Sequence, residues 1–284
     1  MSAPLPPWAA DLLDQAGLVP LGSVGRLSGG DHGELLRVAT TEGDWVVKGH
    51  VRPGSMFLRE AAGLRALAAA GVRVPEVRCS AASGLVMRHL AAGPRQPEAL
   101  GRMIAALHRQ RPTPDTYGWP ESVFLGAFEF PAGTGTWQQV FRERRVEPLL
   151  RATWSQLGRL GPRLERWLQR AELPLEGACL VHGDLWAGNA LATADGPALV
   201  DPGVQWAERG LDLAMMELFG GFGGRCRAAY EEVLPVSEEL RRAIPAYQLV
   251  YLLVHVHFFG SSYLTGVAEA LAAGTAWDSD AWKT

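Results

Sequence analysis

Asparagine is almost missing from this chain of 284 residues: Asn189 is the only one. Lysine is nearly as scarce, since 25 of the 27 basic residues are arginine and the lysines are Lys48 and Lys283. Such a bias arises from a GC-rich genome or from selection by heat, and either way a position that keeps the scarce residue type becomes a suspect for chemistry. Cysteine is sparse as well. Cys79, Cys179 and Cys226 lie far apart, and an odd count without metal-ligand spacing argues against a secreted disulfide framework. Reduced thiols in a cytoplasm are the expected state. Charge of one sign is not in excess: 27 basic against 30 acidic residues give a net charge of -3, without the basic surplus that nucleic acid as a partner would require. No stretch of eighteen uninterrupted apolar residues occurs, and the start Met1-Ser2-Ala3-Pro4-Leu5-Pro6-Pro7-Trp8 lacks a basic region followed by an apolar one. Neither export nor membrane insertion is expected.

What is present divides in two. With 48% apolar residues the chain can bury a substantial core in one large domain or two lobes. The first third reads as a small sheet with one helix. Leu35-Leu36-Arg37-Val38 and Trp45-Val46-Val47-Lys48 form strands across the turn Thr41-Glu42-Gly43-Asp44, and Gly84-Leu85-Val86-Met87 forms another. Met56, Phe57, Leu64 and Leu67 recur at helical spacing over 55 to 70, where Gly71 stops the helix. Ala91-Ala92-Gly93-Pro94 breaks the pattern and reads as a hinge, which divides a lobe over 1–90 from a lobe over 91–284. Beyond it helices are expected at 97–109, 137–150, 155–171, 211–219, 225–233 and 238–258. Two short apolar strands, Cys179-Leu180-Val181 and Ala198-Leu199-Val200, deliver the chain onto Asp184 and Asp201. The fold class is α+β: a protein-kinase-like two-lobe fold, with a small antiparallel-sheet N-lobe carrying one helix and a larger, mainly helical C-lobe. The junction of the lobes is the natural cleft.

Transfer of a phosphoryl group from a nucleotide requires a base for the acceptor hydroxyl, oxygen ligands for Mg²⁺ and cations for the phosphates. In His182-Gly183-Asp184-Leu185-Trp186-Ala187-Gly188-Asn189, Asp184 precedes Asn189 by five residues, the spacing of the kinase loop H-R-D-x-x-x-x-N with Gly183 in place of arginine. Asp184 would take or orient the hydroxyl proton, and the Asn189 amide oxygen would bind the metal. Twelve residues on, Asp201-Pro202-Gly203 ends a strand in the manner of D-F-G, where a carboxylate bridges Mg²⁺ to the phosphates. Turn capping accounts for any one of these residues, not for the set. Lys48 ends a strand where a phosphate-binding lysine sits. Glu60 falls on the apolar face of its helix, three residues after Phe57 and four before Leu64, and a carboxylate there needs a partner. Lys48 is the obvious one, with surface pairing to Arg59 or Arg65 as the alternative. Ser28-Gly29-Gly30-Asp31-His32-Gly33 precedes Lys48 and reads as a loop over the phosphates, though it fits neither glycine-rich consensus. Arg88-His89-Leu90 follows the last strand of the first lobe, where backbone groups meet an adenine edge. His255 and His257 point to different helix faces and read as packed or capping residues, and His108 reads as a helix C-terminal cap.

These residues resemble the fructosamine kinase (ketosamine 3-kinase) family, a branch of the aminoglycoside phosphotransferase-like kinases, over nearly the whole chain. Trp186, giving H-G-D-L-W-x-G-N, is the most specific match; Trp45-Val46-Val47-Lys48, Asp212-Leu213-Ala214-Met215 and Glu217-Leu218-Phe219-Gly220-Gly221-Phe222 also agree. The resemblance implies transfer of the ATP γ-phosphate to the sugar 3-hydroxyl of a ketosamine or glycated protein, after which the adduct decomposes and the amine is deglycated. It implies Asp184 as proton acceptor, Asn189 and Asp201 as Mg²⁺ ligands, Lys48 with its partner Glu60 and with Arg88, His89 and Leu90 at ATP, and Trp186 in the sugar pocket. A monomer is compatible with the sequence. The glycine-rich segment lacks the cysteine that pairs some members, and the stretch between Asp201 and Asp212 is too short for a protein-kinase activation segment. Two other functions compete: a kinase for another hydroxylated acceptor, such as an aminoglycoside, choline or homoserine, and a catalytically silent nucleotide-binding module.

Overall fold

The computed structural model describes residues 5–27, 33–50 and 54–280. Two compact units divide the chain: Met1–Gln96 with Gly188–Gly203, and Pro97–Ala187 with Val204–Thr284. The first therefore extends past the hinge expected at residue 91 and takes in a hairpin from much later in the chain. Short backbone links hold that hairpin, Ala190–Thr193 paired antiparallel with Gly196–Leu199, to the first unit. Ala92 bridges Thr193, Gly93 N donates to Ala192 O at 3.0 Å, and Leu199 N donates to Arg73 O at 2.9 Å. Contacts between segments so distant in sequence leave no trace in its periodicity.

In the first unit, helix α1 (Pro7–Gln15) is followed by strands β1 (Pro20–Arg26), β2 (Glu34–Thr40) and β3 (Gly43–Gly49), helix α2 (Met56–Ala69), and strands β4 (Val77–Ala81) and β5 (Gly84–Arg88). The five strands form one antiparallel sheet in the order β1-β2-β3-β5-β4. Helix α1 is an addition to the single helix expected. Its Ala9, Leu12 and Leu13 cluster with Leu36, Val38, Trp45, Val47 and Val86 on one side of the sheet, while Phe57 and Leu64 of α2 pack with Val46, Leu85 and Met87 on the other. Successive strand side chains alternate between faces. Trp45 and Val47 therefore belong to α1, and Val46 to α2. The same parity carries Lys48 to the α2 side, where Glu60 lies on the packed face of its helix.

The second unit is mainly helical. Its helices are α3 (Pro97–Leu107), the single turn α4 (Trp137–Gln139) running into a π-helix at Val140–Val146, α5 (Glu147–Leu157), α6 (Leu160–Leu168), α7 (Gly210–Leu218), α8 (Gly223–Val233), α9 (Glu238–Phe259) and α10 (Leu264–Asp280). Helix α3 packs closely on α8 because Gly101 has no side chain: a Cβ there would lie 2.1 Å from the Cys226 carbonyl oxygen. Helix α9 runs through the core with Leu249, Leu253 and Val256 buried. The helical segment Glu238–Gly274 is long and apolar enough to cross a membrane by composition, and 61% of its apolar 18-residue stretch is buried inside the protein, as in a core helix. A small antiparallel sheet pairs Cys179–Val181 with Gln205–Ala207, followed by Tyr117–Trp119 and Gly133–Gly135. It is this strand 179–181 that leads into the segment around Asp184.

Candidate active site

In the first unit the site is organised around Lys48. The side chain is almost wholly buried, and its Nζ lies 2.9 Å from Glu60 Oε1 and 2.9 Å from Asp201 Oδ1. The partnership with Glu60 follows from strand parity and helix face; the second carboxylate is what sequence reasoning did not foresee. Burial opposes the charge on Lys48, but the two carboxylates outweigh it and hold the ammonium protonated beyond its ordinary range. Burial pushes the Glu60 carboxyl up, Lys48 pulls it down, and the neighbouring Asp201 charge pushes it up again. Two acids thus compete for one cation.

Asp201 sits just past the hairpin with φ 55, the positive φ of a non-glycine residue among those described. Left-handed backbone at a side chain larger than glycine is uncommon and concentrates at functional sites. Asn189 closes the one-turn 3-10 helix Ala187–Asn189 and is buried, and its carbonyl accepts from Val200 N at 3.0 Å. That bond ties the Asn189 backbone to the residue preceding Asp201. An amide oxygen and a carboxylate are hard donors, suited to a small divalent cation that draws its remaining ligands from water and phosphate oxygens. No cluster of three His, Cys, Asp or Glu capable of holding a metal occurs among the described residues.

Arg88 ends β5, an inner strand of the same sheet, and His89 and Leu90 follow it. The Arg88 guanidinium lies 3.9 Å from the Trp45 ring centroid and donates to Glu42 O at 2.7 Å, so its charge is already engaged. The Arg88 and His89 amides donate to Glu76 O and Asp44 O at 2.8 and 3.1 Å. Burial lowers the His89 imidazole, helped by nearby Arg37 and opposed by Asp44. The Ser28-Gly29-Gly30-Asp31-His32 part of the glycine-rich segment lies outside the described residues.

In the second unit the backbone on either side of Gly183 is fastened from behind. Asp212, fully buried in the first turn of α7, accepts from His182 N at 2.7 Å through Oδ2 and from Gly183 N at 2.8 Å through Oδ1. His108 is also fully buried, with Nε2 3.0 Å from Asp212 Oδ2 and Nδ1 2.8 Å from the Tyr230 hydroxyl. Protonation at Nε2 satisfies the chain: Nε2 donates to Asp212, Nδ1 accepts from Tyr230, and Tyr230 accepts from Arg209 Nη1 at 3.1 Å. His108 is therefore a core support and not the cap expected from its place at the end of α3. Tyr251 of α9 donates from its hydroxyl to Gly183 O at 3.0 Å. Gly183 has φ 83, which explains glycine where protein kinases carry arginine. With its neighbours so held, Asp184 keeps a half-buried side chain, and Trp186 is 43% exposed beside it.

Sequence reasoning missed Asp212, His108 and Tyr251 as supports. One signal was available: an aspartate inside Leu211-Asp212-Leu213-Ala214-Met215-Met216, where a carboxylate amid apolar residues must find donors.

This arrangement meets known proteins as follows. The fructosamine kinase family model matches residues 14–274. The chain belongs to the fructosamine kinase family. A probable ketoamine kinase of Thermus thermophilus is 48% identical over 264 residues, covering 92% of this chain and 98% of the relative. The crystal structure of a putative fructosamine-3-kinase from Thermobifida fusca is 29% identical with a TM-score of 0.79, covering 94% of this chain and 98% of that one. An ADP-bound aminoglycoside phosphotransferase, 14% identical, shares the fold alone, with a TM-score of 0.61 over 95% of this chain and 98% of the other. The α+β protein-kinase-like fold read from the sequence is the fold of this family, and membership makes the chain a phosphotransferase.

Proposed function

We propose that this fructosamine kinase transfers the γ-phosphoryl group of ATP to the 3-hydroxyl of the sugar in a ketosamine, a step that commits the adduct to decomposition and frees the amine. The observation that carries the reading is Asp184, a half-buried carboxylate whose preceding backbone is held by Asp212 and Tyr251, next to the exposed Trp186. Asp184 accepts the hydroxyl proton as the oxygen attacks phosphorus, and its fixed backbone supplies the orientation that in-line transfer requires. Trp186 offers a ring face to the C-H groups of the sugar, leaving hydroxyls to polar partners.

Lys48 meets the phosphates, with Glu60 fixing its ammonium; Arg88 and His89 spend their amides within the unit, so the adenine edge falls to the backbone at Leu90. Asn189 and Asp201 would hold Mg²⁺, which neutralises charge building on the phosphate oxygens when bound. Asp201 would hold the cation in place of its bond to Lys48, which would leave that lysine to Glu60 and the nucleotide. Three unpaired cysteines fit a cytoplasmic setting.

The test is incubation of the protein with Mg-ATP and a panel of fructosamines and ribulosamines, reading phosphate transfer and the position phosphorylated. Transfer to the 3-hydroxyl is expected. Turnover of an aminoglycoside, choline or homoserine with every ketosamine inert would overturn the acceptor, and Mg-ATP binding without turnover of any acceptor would overturn the enzyme.

A further inference from the structure

Outside the residues given a role above, the second unit carries a surface built of rings. Phe219, at the end of α7, lies 4.7 Å from the His255 ring centroid; Tyr263 lies 4.8 Å and Phe259 5.5 Å from the same imidazole. Phe259 and Tyr263 are 6.1 Å apart, and Phe258 is 6.2 Å from Phe259. Large aromatic side chains usually go to a core, yet Phe259 is 57% and Phe219 39% exposed. Aromatic rings gathered at a surface and left open to water mark a place where something apolar is received.

Two connections tie this surface to the segment that carries Asp184. His255 Nδ1 lies 2.7 Å from Tyr251 O, one turn earlier in α9, and the Tyr251 hydroxyl bonds the Gly183 carbonyl immediately before Asp184. From the other side, a Cβ on Gly221 would lie 2.4 Å from Ala187 Cβ, so the turn that follows Phe219 presses on the residue that follows Trp186. The segments that carry the rings, α9 and the turn after α7, therefore touch the chain on both sides of Asp184, at Gly183 and at Ala187.

In a ketosamine only a short carbon chain separates the reacting hydroxyl from the amine nitrogen, so whatever the nitrogen bears comes to rest near the base. We propose that Phe219, His255, Phe259 and Tyr263 form the subsite for the amine-side substituent, and that the enzyme selects ketosamines of aromatic or branched apolar amines over those of small polar amines. This rests on the ketosamine reading. Rings already packed on one another lose little freedom when a further ring is added, and edge-to-face or offset stacking against Phe259 and Phe219 gives shape discrimination that a polar surface would not. His255, held by the α9 backbone, acts as the fixed piece on which the other rings lean.

The experiment is a set of ketosamines with one sugar and three amines, glycine, butylamine and phenethylamine, assayed with wild type and with Phe259→Leu, Phe219→Leu and Phe259→Ala, melting temperatures confirming that each variant is folded. For wild type the ratio of kcat/KM between the phenethyl and glycine adducts is expected to be roughly tenfold or more, as a pocket that accepts an apolar group gives. In the variants that ratio falls toward one, through a higher KM for the phenethyl adduct while its kcat is kept. A wild-type ratio near one, or variants that lower kcat for both adducts alike, would overturn the subsite while leaving the ketosamine reading intact. Wild type that turns over none of the three adducts would overturn that reading, and the subsite with it.

Discussion

The Asp184 side chain is half-buried while the backbone just before it is hydrogen-bonded from behind, and that contrast separates its chemistry from its scaffold. Asp184→Asn keeps the shape and the neighbouring bonds but cannot accept a proton. Turnover is expected to fall roughly 10²–10⁴-fold with ATP affinity kept to within about twofold, as initial rates and an equilibrium ATP titration would show. Near-normal turnover would remove Asp184 from its role. Lys48 behaves in the opposite way, since its side chain is only 7% exposed and that of Glu60 9%. Lys48→Met therefore strands a buried carboxylate, at an expected cost of about 3–5 kcal/mol in denaturant unfolding. Adding Glu60→Leu removes the stranded charge and is expected to regain most of that loss without restoring activity. If the double variant is no more stable than the single one, the pair is not the unit that the geometry makes it.

At the scale of elements, the site depends on how α7 meets the chain after strand 179–181. Asp212 collects two backbone amides and an imidazole within one buried carboxylate, so the loop carrying Asp184 is positioned from behind by the buried first turn of α7. Asp212→Ala leaves the His182 and Gly183 amides without their acceptor, at roughly 1–3 kcal/mol for each buried donor. Both stability and kcat are expected to drop, while KM for ATP changes by less than about twofold because the phosphate contacts belong to Lys48. Asp212→Asn keeps one acceptor oxygen and should recover part of kcat, an outcome that simple unfolding would not produce. A kcat loss confined to the least stable variant would make Asp212 structural only. Strand β3 shows the same dependence from the first unit: its alternation sends Trp45 and Val47 to α1 and aims Lys48 at Glu60 of α2.

Across the whole molecule, legibility followed the reach of the interaction. The Lys48-Glu60 pair, helices α3, α7, α8 and α9 and the strand leading to Asp184 obey local periods of two and 3.6 residues, and a single chain displays those periods openly, whereas α10 and the break at Gly158 between α5 and α6 escape that reading. Helix α1, the hairpin that joins the first unit, the second partner of Lys48 and the buried group of His108, Tyr230 and Asp212 rest on contacts between remote segments, which no local period encodes. Burial of that kind also separates the three cysteines. Cys79 on β4 is half-buried, whereas Cys179 and Cys226 are buried in the second unit, and burial pushes their thiols up, Cys226 to about 11. The thiolate is the reactive form, so a raised thiol is doubly protected, by access and by protonation. With iodoacetamide at pH 8 (about the ordinary thiol range), Cys79 is expected to alkylate at least roughly tenfold faster than the other two. Cys179 and Cys226 should react only when the second unit opens, so their labelling against denaturant, followed by mass spectrometry, reports unfolding of the unit that holds Asp184. Labelling of Cys226 as fast as Cys79 in the folded protein would mean that the close contact of α3 with α8 at Gly101 opens far below the global transition.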